Sequence, residues 1–185
     1  ARPQRLWLML QAGASVKVYG TLPCSPLHVL AAQKHKDVEE QRQMVRLLLQ
    51  SGASLEAQDH SGLTPLAVAV ARGGPAEVAA LLAEGASVHA TAATGFSKPR
   101  QVPLLMMAAT SPTIFGLLLQ NGADPAGRSD DGMTVAEFLA AEITRYDADL
   151  QEDMSGNLRR NWTRFRRGVA ASEALLSSSV ERSAM

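Results

Sequence analysis

The chain has no net charge to speak of. Its 18 Lys and Arg balance 18 Asp and Glu over 185 residues, so no field draws it onto nucleic acid or an anionic membrane. Aromatic residues make up only 4% of it, too few for a core built around large rings. The single cysteine, Cys24, permits no intramolecular disulfide. No apolar run reaches the roughly eighteen residues that a membrane-crossing helix needs. Chemistry is scarce as well. The four histidines, at 28, 35, 60 and 89, have no second ligand at metal spacing. There is no glycine-rich phosphate loop, nucleophile elbow or HExxH motif. Cys24 lies at a turn ahead of a helix start, a place that can activate a thiol, yet no partner base accompanies it. The expectation is a chain without enzyme activity, catalytic residues, cofactor or metal.

What is present is a phrase repeated four times: LMLQAGAS at 8–15, LLLQSGAS at 47–54, LLAEGAS at 81–87 and LLLQNGAD at 117–124. Its glycines, Gly13, Gly52, Gly85 and Gly122, recur at intervals of 39, 33 and 37 residues, the period of a solenoid of stacked units. Leucines at helical spacing bury a face, and the glycine supplies the left-handed residue that ends a helix. Twelve residues after Gly13, Gly52 and Gly122 stand Ser25-Pro26, Thr64-Pro65 and Thr134-Val135. A hydroxyl followed by proline opens a helix, because the side-chain oxygen accepts an orphan N–H and proline has none to satisfy. Each unit therefore reads as turn, helix, tight turn, helix.

This pattern resembles the ankyrin repeat. The fullest copy runs over 56–87, where Ala57, Asp59, Gly62, Thr64, Pro65, Leu66 and Ala69 fit the family's pattern, and SPLHVLAA at 25–32 matches its helix-opening signature. The resemblance spans roughly residues 5–140 and implies an all-α solenoid of helix-turn-helix repeats, with short hairpin turns and helical caps. The expected divisions are a partial N-terminal repeat at 1–15, repeats at 16–54, 55–87 and 88–124, a partial fourth at 125–146, and an acidic linker, capping helix and tail over 147–185. The first helix of the N-terminal unit is absent, which fits a chain that begins inside a longer product. A cleaved secretory signal would leave the same terminus, so export stays open beside the cytoplasmic location expected.

Departures from the pattern carry the remaining information. Leu6, Trp7, Leu10 and Met9 are expected to turn toward the first full unit, and the linking turn at 16–24, with Gly20 and Pro23 in unusual places, predicts an irregular hairpin. Repeat one has six extra residues between Ser25 and Gly52, which fall in the charged stretch 33–42 and predict a solvated extension. In repeat two, Leu66, Val68, Val70, Val78, Leu81 and Leu82 form the apolar faces. Repeat three carries five extra residues in 90–101, a finger presenting Phe96, Lys98 and Arg100 as a place for protein contact. Met106 and Met107 are read as core. Farther on, Leu158, Trp162, Phe165 and Val169 share one helical face with five arginines mostly off it, which suits a C-terminal cap followed by a frayed tail.

The resemblance implies a non-catalytic module that binds a partner protein through turn tips and a concave helix wall. By alignment the contact residues are Tyr19, Asp59, His60, Leu63, Arg72, Phe96, Lys98, Arg100, Arg128, Asp130 and Met133. No nucleic acid, membrane or cofactor is expected, and the chain is read as a monomer. Two alternatives remain: an inhibitor that blocks an enzyme or toxin, and a structural spacer within a longer protein.

Overall fold

A computed structural model describes residues 8–9, 11–13, 25–33, 37–72, 74–94, 100–151 and 167–179, with backbone alone at 91–94, 100 and 145–151. The chain divides into two compact units, Ala1–Ala93 and Thr94–Met185. The fold is an all-α repeat fold, with four-residue strands as its only departures among the described residues. Trp7, Leu6, Leu10, the hairpin at 16–24, Trp162 and Phe165 lie outside the described residues.

The repeated glycines end helices by one geometry. At Gly52, Gly85 and Gly122 the backbone is left-handed, with φ of 91, 92 and 88°. Gly52 N–H donates to the Leu49 carbonyl at 2.9 Å and Ala53 N–H to that of Leu48 at 3.0 Å. The same pair of bonds recurs at Gly85 and Ala86, and again at Gly122 and Ala123. These are the two bonds of the Schellman motif, and they satisfy carbonyls that the last helical turn would leave orphaned.

In the first unit, α1 (Pro26–Ala31) and α3 (Pro65–Arg72) form one layer and α2 (Val38–Gln50) and α4 (Pro75–Ala83) the other. α1 packs on α3, α2 on α4, and each repeat closes on itself through α1 with α2 and α3 with α4. Leu27, Val45, Leu48, Leu66, Val78 and Leu81 fill the space between them. Of the expected apolar face in repeat two, Val70 and Leu82 are also buried, whereas Val68 is only half-buried. Near the start of the chain, Met9 is 61% exposed rather than turned inward.

The six extra residues of repeat one divide between helix and linker. α2 begins 14 residues before its closing Gly52, whereas α4 begins 10 before Gly85, so the helix absorbs four. The remaining two lengthen the connection from Ser25 to the α2 cap Asp37, a span of 12 against 10 from Thr64 to Gly74. Asp37 Oδ1 accepts from the N–H groups of Glu39 and Glu40 at 2.9 and 3.2 Å, and the two acidic residues that follow complement the helix dipole. The segment is not simply solvated. Gln41 is 0% exposed and donates to the Leu30 carbonyl at 3.4 Å, while Arg42 reaches Glu84 beyond α4 at 2.6 Å.

β1 (Thr91–Thr94) closes the stretch after α4. The second unit continues with β2 (Arg100–Pro103), α5 (Leu104–Met107), α6 (Pro112–Gln120), α7 (Val135–Gln151) and helix α8 over 167–179. α5 packs on β2, α6 and α7, with Leu104, Leu105, Ile114, Phe115, Leu118 and Leu139 buried. Met106 is buried and Met107 half-buried. α5 is one turn long, and its start carries no side-chain cap: Val102 stands where the other repeats have Ser25 and Thr64, and valine offers no oxygen to the first N–H groups. α7 opens on a complete capping box. Glu137 N–H donates to Thr134 Oγ1 at 3.2 Å, and Thr134 N–H donates to Glu137 Oε2 at 2.8 Å. The helix runs on to Gln151, so residues 147–151 are helical.

α8 buries Val169, Ser172 and Leu176, a spacing of three and four that makes one helical face. Its Gly168 meets the backbone of Thr110, and its Leu175 lies beside Gly116 of α6. The expected capping face through Leu158 and Phe165 lies outside the described residues, but Val169 is fully buried. Residues 177–179, expected in a frayed tail, are helical.

Candidate protein-binding groove

Between α1 and α3 of the first unit lies a groove of about 490 Å³, lined by His28, Val29, Ala32 and Gln33 on one side, Val68, Ala71 and Arg72 on the other, and Asp59, His60 and Leu63 from the preceding turn. Its walls are related by the repeat. Val29 and Val68, Ala32 and Ala71, and Gln33 and Arg72 each stand 39 residues apart, the same interval as the helix-opening Ser25 and Thr64. One face of two consecutive first helices thus supplies paired valines and paired alanines. Val29 is 52% exposed, apolar surface whose burial against another molecule would be favourable.

The turn that delivers His60 and Leu63 is held by its own backbone and by Asp59. Asp59 N–H donates to the Leu63 carbonyl at 2.9 Å, and Gly62 N–H donates to the Asp59 carbonyl at 2.9 Å. Gly62 has φ of 73°, which an L side chain adopts only at a cost. Asp59 Oδ1 accepts from Ser61 N–H at 2.8 Å and from Leu63 N–H at 3.0 Å, the local bonding that suits aspartate to turns. His28 ties this turn to α1, its Nε2 standing 2.8 Å from the Leu63 carbonyl oxygen.

The second unit repeats the turn. Ser129 N–H donates to the Met133 carbonyl at 3.0 Å and Gly132 N–H to the Ser129 carbonyl at 2.9 Å, with Gly132 at φ 83°. Arg128 donates to the Gly132 carbonyl at 2.8 Å. Asp130 Oδ2 accepts from Gln101 N–H and Asp130 N–H donates to the Gln101 carbonyl, both at 3.1 Å. The Glu137 carboxyl sits below the usual range because Thr134 donates to it from backbone and side chain, with a smaller contribution from Arg128.

Of the eleven residues that the alignment placed at a contact surface, Asp59, His60, Leu63 and Arg72 come together at the groove. Arg128, Asp130 and Met133 gather at the second turn, next to the β2 strand that holds Arg100. Tyr19, Phe96 and Lys98 lie outside the described residues. The Asp59, Arg128 and Asp130 side chains are engaged in turn bonds, whereas His60 and Arg72 are exposed and make no hydrogen bond or ion pair among the described residues. Sequence reasoning missed the apolar wall. Its signal was the shared register of Val29 and Val68, each of which stands four residues after the helix-opening Ser25 or Thr64. Among the described residues no cluster of three or more His, Cys, Asp or Glu side chains could hold a metal ion.

Two layers of paired helices, glycine-terminated and opened by Ser/Thr-Pro, define the first unit, and residues 4–92 match the family model for ankyrin repeats (3 copies). The match covers 89 of the 185 residues. The matched span falls within the first unit, Ala1–Ala93, and contains the whole groove. Ankyrin repeats are generally protein–protein interaction modules and typically non-catalytic. No curated protein matches the chain, and no helix among the described residues is long and apolar enough to cross a membrane.

Proposed function

We propose that the chain is a non-catalytic protein-binding module, and that the ankyrin groove between α1 and α3 is its principal contact surface. The observation that carries this reading is the exposure of Val29 beside Val68, Ala32, Ala71 and Leu63 in one concave site. A cleft of this size, apolar with a few polar groups at its edge, is the usual form of a binding site. The side chains at its rim include His60 and Arg72, and arginine is enriched among interface residues that carry binding energy.

A photo-crosslinking amino acid at position 60 tests the site directly. It should capture a partner protein in cells, while the same probe at exposed Gln43 on α2 should not. Equal capture from both positions would remove the groove as the contact surface.

A further inference from the structure

We infer that the groove receives a linear acidic and apolar segment of a partner protein, with an aspartate or glutamate of that segment on Arg72 and its apolar side chains over Val29 and Val68. The inference rests on the groove being the binding site and adds the chemistry of its occupant. Three observations support it. The floor is apolar and small in its side chains, with Val29, Ala32, Val68, Ala71 and Leu63, so it takes aliphatic side chains and offers little to polar ones. A volume of about 490 Å³ lies in the range of clefts that enclose a small ligand or a few side chains, which suits a short extended segment.

The third observation is charge. Arg72 and Asp59 are the charged residues of the lining. They stand at opposite ends of α3, since Arg72 is its last residue and the Asp59 turn precedes its first; eight residues of helix separate them by about 10 Å or more. Asp59 already accepts two backbone N–H groups on Oδ1, which hold its carboxylate to the turn. Arg72 makes no ion pair or hydrogen bond among the described residues, in contrast to Arg42 and Arg46, which both reach Glu84. An uncommitted guanidinium at the edge of an apolar site matches a carboxylate, which it can hold through two parallel N–H donors. A basic segment would instead set a cation against Arg72, and like charges in contact suppress a partner. The exposed imidazole of His60 marks the other end.

Selection of a random short-peptide display library on the purified full chain tests the inference. Peptides pairing two aliphatic residues with Asp or Glu should be enriched. Their binding should be lost on Val29→Asp and weakened about tenfold or more on Arg72→Gln, the loss typical of a buried arginine anchor, while Arg72→Lys recovers part of it. Circular dichroism should be unchanged in all three variants, whose substituted side chains are exposed. Enrichment of basic or uncharged peptides whose binding still depends on Val29 would overturn the acidic occupant and leave the groove reading intact. Peptides insensitive to Val29→Asp would overturn both, and a selection that enriches nothing would overturn the linear segment.

Discussion

His28 Nε2 lies 2.8 Å from the carbonyl oxygen of Leu63, a residue 35 positions farther along and in the next repeat. The other ring nitrogen, Nδ1, receives Ser25 N–H at 3.1 Å and stands 2.8 Å from Ser25 Oγ. A backbone N–H can only donate, so Nδ1 accepts and Nε2 carries the hydrogen given to Leu63. One buried side chain thus opens α1 and fixes the turn that presents His60 and Leu63 to the groove.

Replacing His28 by Ala should therefore lower stability by about 1–3 kcal/mol, because Ser25 N–H and the Leu63 carbonyl lose their partner together. The midpoint of urea denaturation should fall with its slope unchanged. A midpoint equal to that of the wild type would show that the turn stands without the histidine.

Much of this architecture was legible because it rests on local chemistry. The left-handed glycines at 52, 85 and 122 and the helix openers Thr64 and Thr134 state their backbone roles in sequence, and each does what its residue type requires. Faces were less legible. Val68 sits among Leu66, Ala67, Ala69 and Val70 in an apolar helix, so periodicity alone does not say which member faces the groove; the neighbouring first helix decides it. Gln41 in a charged run gave no sign of burial. The position of α8 follows from a close approach to Thr110 that no residue spacing encodes.

Glu84 gives the ankyrin stack a pH-dependent tie. Burial raises its carboxyl pKa, but hydrogen bonds and charge from Arg42 and Arg46 outweigh this and hold it below the ordinary 4.5. A carboxylate with a lowered folded value stabilises fully above the unfolded value, and that contribution disappears as pH falls through the folded one. Exposed pairs contribute on the order of 0.2–1 kcal/mol each. Glu84→Gln should therefore lower the melting temperature modestly at pH 7, with the difference from the wild type shrinking below about pH 4.5. A gap that is the same at pH 7 and pH 3 would mean that the ion pairs contribute nothing.

Gly85 closes α4 at φ 92°, with open space where a Cβ would stand. The cost of a side chain there is conformational and not steric, so Gly85→Ala should destabilise by about 1–2 kcal/mol and Gly85→Asn by less, since asparagine tolerates the left-handed region. Thermal unfolding of both variants checks the order. If Ala were tolerated as well as Asn, the terminator role of this glycine would have to be abandoned.

Two glycines within helices of the second unit look alike in sequence and should behave in opposite ways. Gly116 lies in α6, and a Cβ added to it would meet only Leu175 Cδ1 at 3.7 Å, an ordinary contact. Gly116→Ala should be neutral or stabilising by up to about 1 kcal/mol, because alanine restricts the unfolded chain and favours helix. Gly168 lies in the first described turn of α8, and a Cβ there would overlap the Thr110 carbonyl oxygen, with the carbonyl carbon at 3.1 Å. A backbone carbonyl cannot swing aside as a side chain can, so α8 must shift and part of the burial of Val169 and Ser172 goes with it. Gly168→Ala should cost about 1–3 kcal/mol, the usual range for overpacking, despite the gain in helix propensity. Differential scanning calorimetry of the two variants decides the matter: a stabilised Gly168→Ala would mean that α8 does not approach Thr110 this closely.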